Sequence, residues 1–307
     1  MRRFSPTWLL PTFALVLAAC GQDAPAPGPG PSEDISGLQP ALWTLSDEDT
    51  TVHLFGTVHT LKPGTDWKTI GFTTAFEASD ALFIEADLET PSVINRVQSV
   101  VAQQAVFTDG TQLDDYLEDD EEILVDQAVS LVGLEPDDAQ NLRPWLLSQS
   151  LTDLYAEKQG YNSDLGVESI LISDARRSGK EIEYLESAVE LLGRLGGLPD
   201  TATADLLVAT AEDIMQRPDS LDELVAMWGA ADISGLSNVF RPDGAFGAPV
   251  VYDLLIAERN QDWAEQIVEL MESREGTYMI AVGAGHLAGP DRLQFLLEAE
   301  GYSVLQQ

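Results

Sequence analysis

Two of the three histidines stand in matching settings. Residues 51–55 run into Gly56-Thr57-Val58-His59, and residues 277–282 run into Gly283-Ala284-Gly285-His286. In each, an apolar run ends at a glycine and a histidine follows three residues later. Imidazole gives or takes a proton near neutral pH and is also the commonest metal ligand. A third group comes from Leu82-Phe83-Ile84-Glu85-Ala86-Asp87, where a carboxylate follows directly on an apolar run. A carboxylate placed there is costly unless it is paired, ligated or at the open edge of a sheet. Two imidazoles and a carboxylate around one cleft admit two chemistries. They can bind a divalent metal that keeps open positions, as hydrolytic zinc and non-haem iron sites do. They can also work without metal, with histidine as general base and Glu85 orienting it. Spacing alone leaves both open. Asp87 is a second-rank candidate, two positions on and on the same side of an extended chain. His53 lies inside its apolar run without a counterpart before Gly283, and reads as a structural or surface residue.

These residues need elements that bring them together. Leu42-Trp43-Thr44-Leu45 and Val52-His53-Leu54-Phe55, separated by a polar segment, predict a β-hairpin. Ala81-Leu82-Phe83-Ile84 and Tyr278-Met279-Ile280-Ala281-Val282 are continuous apolar runs, suited to strands buried on both faces. Ile182-Glu183-Tyr184-Leu185 is a weaker strand candidate, and Tyr302-Ser303-Val304-Leu305 closes the sheet. Both imidazoles then fall at the carboxyl edge of a strand, where open α/β sheets place their ligand sites. Between the strands the period is helical: Leu147, Leu151 and Leu154 share a face, as do Val167, Ile170 and Leu171, then Trp263, Ile267, Leu270 and Met271, then Leu293, Leu296 and Leu297. Leu287-Ala288-Gly289-Pro290 reads as a helix start with proline near its first position. The economical fold class is α/β, with α+β character: a central mixed sheet built from both ends of the chain and a large helical insertion acting as a cap.

Composition bounds the partners. The chain has 307 residues, 44% of them hydrophobic, enough for a sizeable core. Its 52 acidic side chains against 16 Lys and Arg leave a net charge of −36, which repels phosphate backbones and argues against nucleic acid. At the amino terminus, Arg2 and Arg3 precede an apolar stretch over 8–19 that is too short to span a bilayer, the pattern of an export signal. Leu17-Ala18-Ala19-Cys20 resembles the bacterial lipobox, and Cys20 is the only cysteine, so lipidation accounts for a thiol that has no internal disulfide partner. The expected organisation is a lipoprotein signal peptide over 1–20, an Ala/Pro/Gly-rich tether over 21–37, and a folded domain over 38–307. Membrane attachment runs through the lipid on Cys20. Gly21 gives no reason for retention at the inner membrane, so the expected address is the outer membrane, facing the periplasm or the cell surface.

The ordered set Leu42-Trp43, His53 to His59, Leu142-Arg143-Pro144-Trp145, Gly166-Val167-Glu168, Glu258-Arg259-Asn260 and Val282 to Asp291 resembles the landmarks of TraB/GumN proteins over nearly the whole mature chain. The resemblance implies a catalytic and metal-binding set of His59, Glu85 and His286, around a divalent transition metal such as zinc, manganese, cobalt or iron. It also implies that Arg259 and Asn260 belong to the active site, where they would bind substrate carboxylate or carbonyl groups. Arg143 and Glu168 are weaker candidates, otherwise read as salt-bridging residues that hold the cap. Animal relatives, the TIKI proteins, are described as metal-dependent peptidases acting on secreted Wnt ligands. The expected function is an exported metal-dependent, peptidase-like hydrolase acting on a peptide or small molecule. Two alternatives stand beside it: a metal-independent hydrolase resembling the erythromycin-esterase group, and a non-catalytic lipoprotein that binds a peptide, metal or haem.

Overall fold

The structure is a computed structural model that describes residues 37–242 and 244–307. The export segment, Cys20 and the tether up to residue 36 lie outside the described residues. In chain order the elements are β1 (Leu42–Ser46), β2 (Thr50–Thr57), α1 (Ile70–Ala78), β3 (Ala81–Ala86), α2 (Pro91–Gln104), α3 (Asp119–Leu131), α4 (Pro136–Ala139), α5 (Pro144–Lys158), α6 (Val167–Ser178), β4 (Glu181–Glu186), α7 (Ala188–Leu195), α8 (Asp200–Gln216), α9 (Ser220–Gly229), α10 (Ile233–Val239), α11 (Pro249–Tyr252), α12 (Glu258–Ser273), β5 (Gly276–Gly283), α13 (Leu293–Ala299) and β6 (Leu305–Gln306). No described helix is long and apolar enough to cross a membrane.

The six strands form one mixed sheet in the order β4-β3-β5-β2-β1-β6. The expected hairpin is present, with Trp43 opposite Leu54 and Leu45 opposite Val52. β5 inserts between β2 and β3 and runs parallel to both, so the sheet is assembled from both ends of the chain. β4 continues the parallel set beside β3, and the two-residue β6 covers the outer edge of β1. Parallel neighbours need long crossovers, and the helices between β3 and β5 supply them.

Side-chain alternation divides the core. Leu82 and Ile84 of β3, Phe55 of β2, and Met279 and Ala281 of β5 face the larger cluster beneath the helical cap. Ala81 and Phe83, Val52 and Leu54, and Tyr278, Ile280 and Val282 face the other way, against Trp263, Ile267, Leu270 and Met271 of α12 and Leu293 and Leu297 of α13. That reversal on successive residues is the period of two that an extended chain imposes. The expected cap is therefore real, interrupted once by β4. It is tied to the sheet where it matters: Trp228 Nε1 of α9 donates to Gly56 O at 2.7 Å, and Lys62 Nζ and Tyr161 Oη both bond Asp222 Oδ1, at 2.5 and 2.6 Å.

The helix start expected at Pro290 is corrected. Ala284–Leu287 is a short 3-10 turn, and α13 begins only at Leu293. Gly289 holds φ +82°, in the left-handed region that glycine tolerates, and its N–H donates to Ser237 Oγ at 3.0 Å. The chain thus turns once more before the helix begins.

Candidate functional site

Four adjacent parallel strands end at one edge, and each delivers a polar side chain there. His59 lies two residues beyond β2, Glu85 is the penultimate residue of β3, Glu186 closes β4, and His286 sits in the 3-10 turn after β5. Thr57 and Gly283 are register partners, which brings the two histidine turns side by side. Gly283 is the point of convergence. A Cβ added there would lie 3.2 Å from Glu85 Oε1, 3.5 Å from His59 Nε2 and 3.7 Å from His286 Cδ2. The missing side chain leaves a cradle that all three residues border. Gly56 answers a different need: a Cβ there would meet Ala284 Cα at 3.3 Å, so its absence lets the His286 turn pack close against β2.

Each histidine has its Nδ1 pinned. His286, 4% exposed, has Nδ1 at 2.6 Å from Asn260 Oδ1. Asn260 Nδ2 donates to His286 O at 3.1 Å and Asp291 O at 2.8 Å, so its Oδ1 is the acceptor and His286 Nδ1 carries the proton. The Nε2 lone pair then faces Arg259 Nη1 at 3.0 Å. Burial and the Arg259 cation push the His286 pKa down to about 3, so the ring is neutral. His59 is the opposite case. Its Nδ1 lies 2.7 Å from Glu168 Oε1, to which Thr57 Oγ1 also donates. Burial lowers the His59 pKa, but the Glu168 carboxylate outweighs it and raises it to about 9.

Glu168 reaches His59 because the backbone is stitched at that point. Val167 N donates to Val58 O at 3.0 Å, and the backbone at Gly166 packs so closely on the His59 carbonyl that a Cβ would fall 2.1 Å from its oxygen. Only glycine fits. The Gly166-Val167-Glu168 segment thus sets the first turn of α6, and its glutamate, directly against the first histidine turn.

Arg259 lies in the first turn of α12, just after a π-helical turn over Asp253–Ala257 that continues into α12; such turns recur at functional sites. All five of its N–H groups are engaged. Nε donates to Glu186 Oε1 and Oε2 at 3.0 and 3.1 Å, Nη1 to Leu255 O at 2.8 Å and to His286 Nε2 at 3.0 Å, and Nη2 to Glu85 Oε2 and Glu186 Oε1, each at 2.5 Å. Its guanidinium also stacks 4.5 Å over the Trp263 ring. A substrate carboxylate would have to displace one of these partners. Glu85 Oε1 accepts from Gly283 N at 2.6 Å. Burial raises the Glu85 pKa, but Arg259 foremost, with the backbone donor, brings it down to about 2.

The remaining candidates lie elsewhere. Asp87 accepts from Glu89 N and Thr90 N, each at 2.9 Å, and shapes the turn into α2. Arg143 pairs with Asp200 Oδ2 at 2.6 Å within the cap, and Glu168 is not its partner. His53 Nδ1 bonds Thr44 Oγ1 at 2.9 Å across the hairpin. Glu186 was missed, although it carries the same signal as Glu85, a carboxylate at the end of a strand. Glu181 and Glu183, earlier in the same strand, conceal it.

The donor types suit a divalent cation. Both imidazoles have Nδ1 fixed by an oxygen partner, the outer support that metal-bound histidines receive, and Glu85 Oε1 lies between them at the Gly283 cradle. His59, Glu85 and His286 would hold the ion. Among the described residues, no three His, Cys, Asp or Glu side chains already close around a single point. At this site Arg259 holds both Glu85 Oε2 and His286 Nε2, so a cation would compete with it for them.

Fold and site together define a class: an α/β protein whose mixed sheet carries a histidine–carboxylate–arginine site at the carboxyl edge of its parallel strands, roofed by helices. The chain belongs to the TraB/PrgY/gumN family, whose model matches residues 41–306. It is similar to the uncharacterized protein YbaP of Escherichia coli (strain K12), 26% identical over 224 residues that cover 71% of this chain and 77% of that protein. YbaP of Shigella flexneri matches equally, at 26% over 224 residues. No solved structure matches the chain at a significant level.

Proposed function

We propose that this protein is a hydrolase acting on an amide or ester carbonyl, with His59, Glu85 and His286 holding a divalent transition metal, zinc, manganese, cobalt or iron. The carrying observation is the convergence of His59 Nε2, Glu85 Oε1 and the His286 ring on the empty Cβ direction of Gly283. Bound there, the ion would polarise the carbonyl and acidify water. The side chains supply the rest. Glu168 fixes the His59 tautomer, Asn260 fixes that of His286, and Arg259 holds Glu85 and Glu186 in place. In hydrolysis the water oxygen bonds to the carbonyl carbon as the C–N or C–O bond breaks, and a proton from water ends on the leaving atom. By the lipobox resemblance, the protein would be tethered through lipid on Cys20 at the outer membrane, meeting a peptide or small molecule on the periplasmic side or at the cell surface.

One observation favours a second, metal-free reading. His59 is held protonated by Glu168, so it can donate a proton to the leaving atom and recover one from water, while Glu85 stays ionised beside it. Elemental analysis of the purified chain separates the two, comparing wild type with His59→Ala, Glu85→Ala and His286→Ala after reconstitution. About one transition metal per chain, lost in all three folded variants, is the expected result. Hydrolysis that continues in a metal-free, chelator-treated protein would overturn the metal reading and leave the second.

A further inference from the structure

The cavity over the site has two unlike surfaces. Its floor carries His59, Glu85, Glu186, Arg259 and His286. Its walls are mainly apolar, with Ile172 from α6, Leu191 and Leu192 from α7, and Leu221, Leu224 and Val225 from α9 forming an aliphatic stretch beside Tyr161, Tyr184 and Phe240. In a plain structural core such side chains would close on one another. Here they border a cavity of about 330 Å³, within the range of roughly 300–1,000 Å³ typical of small-ligand sites. The charge around it is specific too. Glu85, Glu89, Glu168 and Glu186 face the cavity, and the cations facing it are Arg259 and His59. Arg259 has every N–H engaged, His59 is paired with Glu168, and Glu89 is paired with Arg176 at 2.7 Å. What remains toward the cavity is the Nε2 edge of His59, beside the Gly283 cradle.

We infer that the ligand is an uncharged amide or ester bearing an aliphatic group, which lies against Ile172, Leu191, Leu192, Leu221, Leu224 and Val225 while its carbonyl meets the His59 edge. In metal-free protein a free carboxylate on the ligand is disfavoured, because it would face Glu85 and Glu186 with no unengaged guanidinium to pair with. The orientation of the carbonyl rests on the hydrolase reading; the aliphatic selectivity and the exclusion of anions need no turnover. An acyl chain and the side chains of a blocked apolar peptide share this chemistry.

The test is equilibrium binding to the full chain freed of metal by chelator, followed by intrinsic tryptophan fluorescence and by the rise in melting temperature with ligand. Butanamide, hexanamide and octanamide are expected to bind about fourfold more tightly per added methylene. Octanoate should bind at least about tenfold more weakly than octanamide, as the cost of burying an unpaired charge requires. Ile172→Asn and Leu191→Asn change half-buried residues on different walls, and each is expected to flatten the chain-length series while the chain stays folded. Should either variant unfold, the milder Ile172→Ala should still weaken octanamide several-fold. N-acetyl-leucinamide run beside octanamide tells a peptide source from an acyl chain. Affinity that ignores chain length, or octanoate binding as tightly as octanamide, overturns the inference. Amides that bind in this series but are never cleaved, with metal restored or without it, would instead sink the hydrolase reading and leave the inference standing.

Discussion

The two histidines share a motif but not a charge state, and their partners decide which is which. Glu168 makes His59 the protonated ring; the Arg259 cation and full burial make His286 the neutral one. That difference has a thermodynamic consequence in metal-free protein. The His59 pKa rises from 6.5 unfolded to about 9 folded, so the pairing stabilises the fold fully below pH 6.5 and is lost as pH climbs through 9. Glu168→Gln is therefore expected to cost on the order of 2–3 kcal/mol at pH 6 and little at pH 10. Urea unfolding in chelator at the two pH values measures it, and a cost that does not change with pH would mean that the pair contributes no charge interaction. At this scale the sequence was informative about what stands at a strand end and silent about what meets it. His59, Glu85 and His286 were readable because each follows an apolar run. The arginine was expected in the site only through the family resemblance, and its partners Glu186 and Glu85 lie 73 and 174 residues away, so the filling of its donors was not readable. The same holds for Glu168, which is 111 residues from Thr57 and reaches the site only because α6 folds back against β2.

Elements position these residues through close backbone approaches, and glycines mark where the tolerance is smallest. Gly166→Ala would place a methyl 2.1 Å from the His59 carbonyl oxygen and 2.7 Å from its carbon, neither of which is a flexible side-chain end. It is expected to cost more than about 2 kcal/mol and to disturb the His59–Glu168 contact, since the strand end or the helix must move. Gly193, inside α7 with nothing within 4 Å of an added Cβ, is the control; Gly193→Ala should stabilise by about 0.5–1 kcal/mol. Gly283→Ala falls between them, because its contacts at 3.2 and 3.5 Å are to the ends of Glu85 and His59. The fold should survive with a loss of about 1 kcal/mol or less while metal binding is abolished, since the methyl fills the cradle. Retained metal in a folded Gly283→Ala protein would place the ion elsewhere. Strands were legible from continuous apolar runs, and α12 from Trp263, Ile267, Leu270 and Met271, all buried as one face. The start of α13 was not, because Gly289 and Pro290 carry a helix-start pattern while a hydrogen bond to Ser237 on α10 settles the turn. Local pattern gives an element's existence, and contacts across the fold give its boundary.

At the scale of the whole molecule, the net charge of −36 is the largest unbalanced force in the protein. Ion pairs relieve it locally, as at Arg274–Glu183 and Arg217–Glu223, but exposed pairs of this kind contribute only about 0–1 kcal/mol each. Repulsion among the unpaired acids acts over the Debye length, about 10 Å at 0.1 M salt, and is screened as salt rises. The buried group of Glu85, Glu186, Arg259 and His59 is sheltered from that screening. The melting temperature is therefore expected to rise by roughly 5 °C between 0.02 and 0.5 M sodium chloride, measured by scanning calorimetry. A fall over that range would mean that surface ion pairs, not repulsion, dominate the electrostatic balance. The same field bears on the site. In metal-free protein an anionic ligand approaching the cavity meets a protein that repels it at long range and a floor that repels it at contact, so raising salt can relieve only the first. An octanoate that stays weak at 0.5 M salt would locate its exclusion in Glu85 and Glu186 themselves, whereas one that strengthens toward octanamide would assign the exclusion to the surface charge.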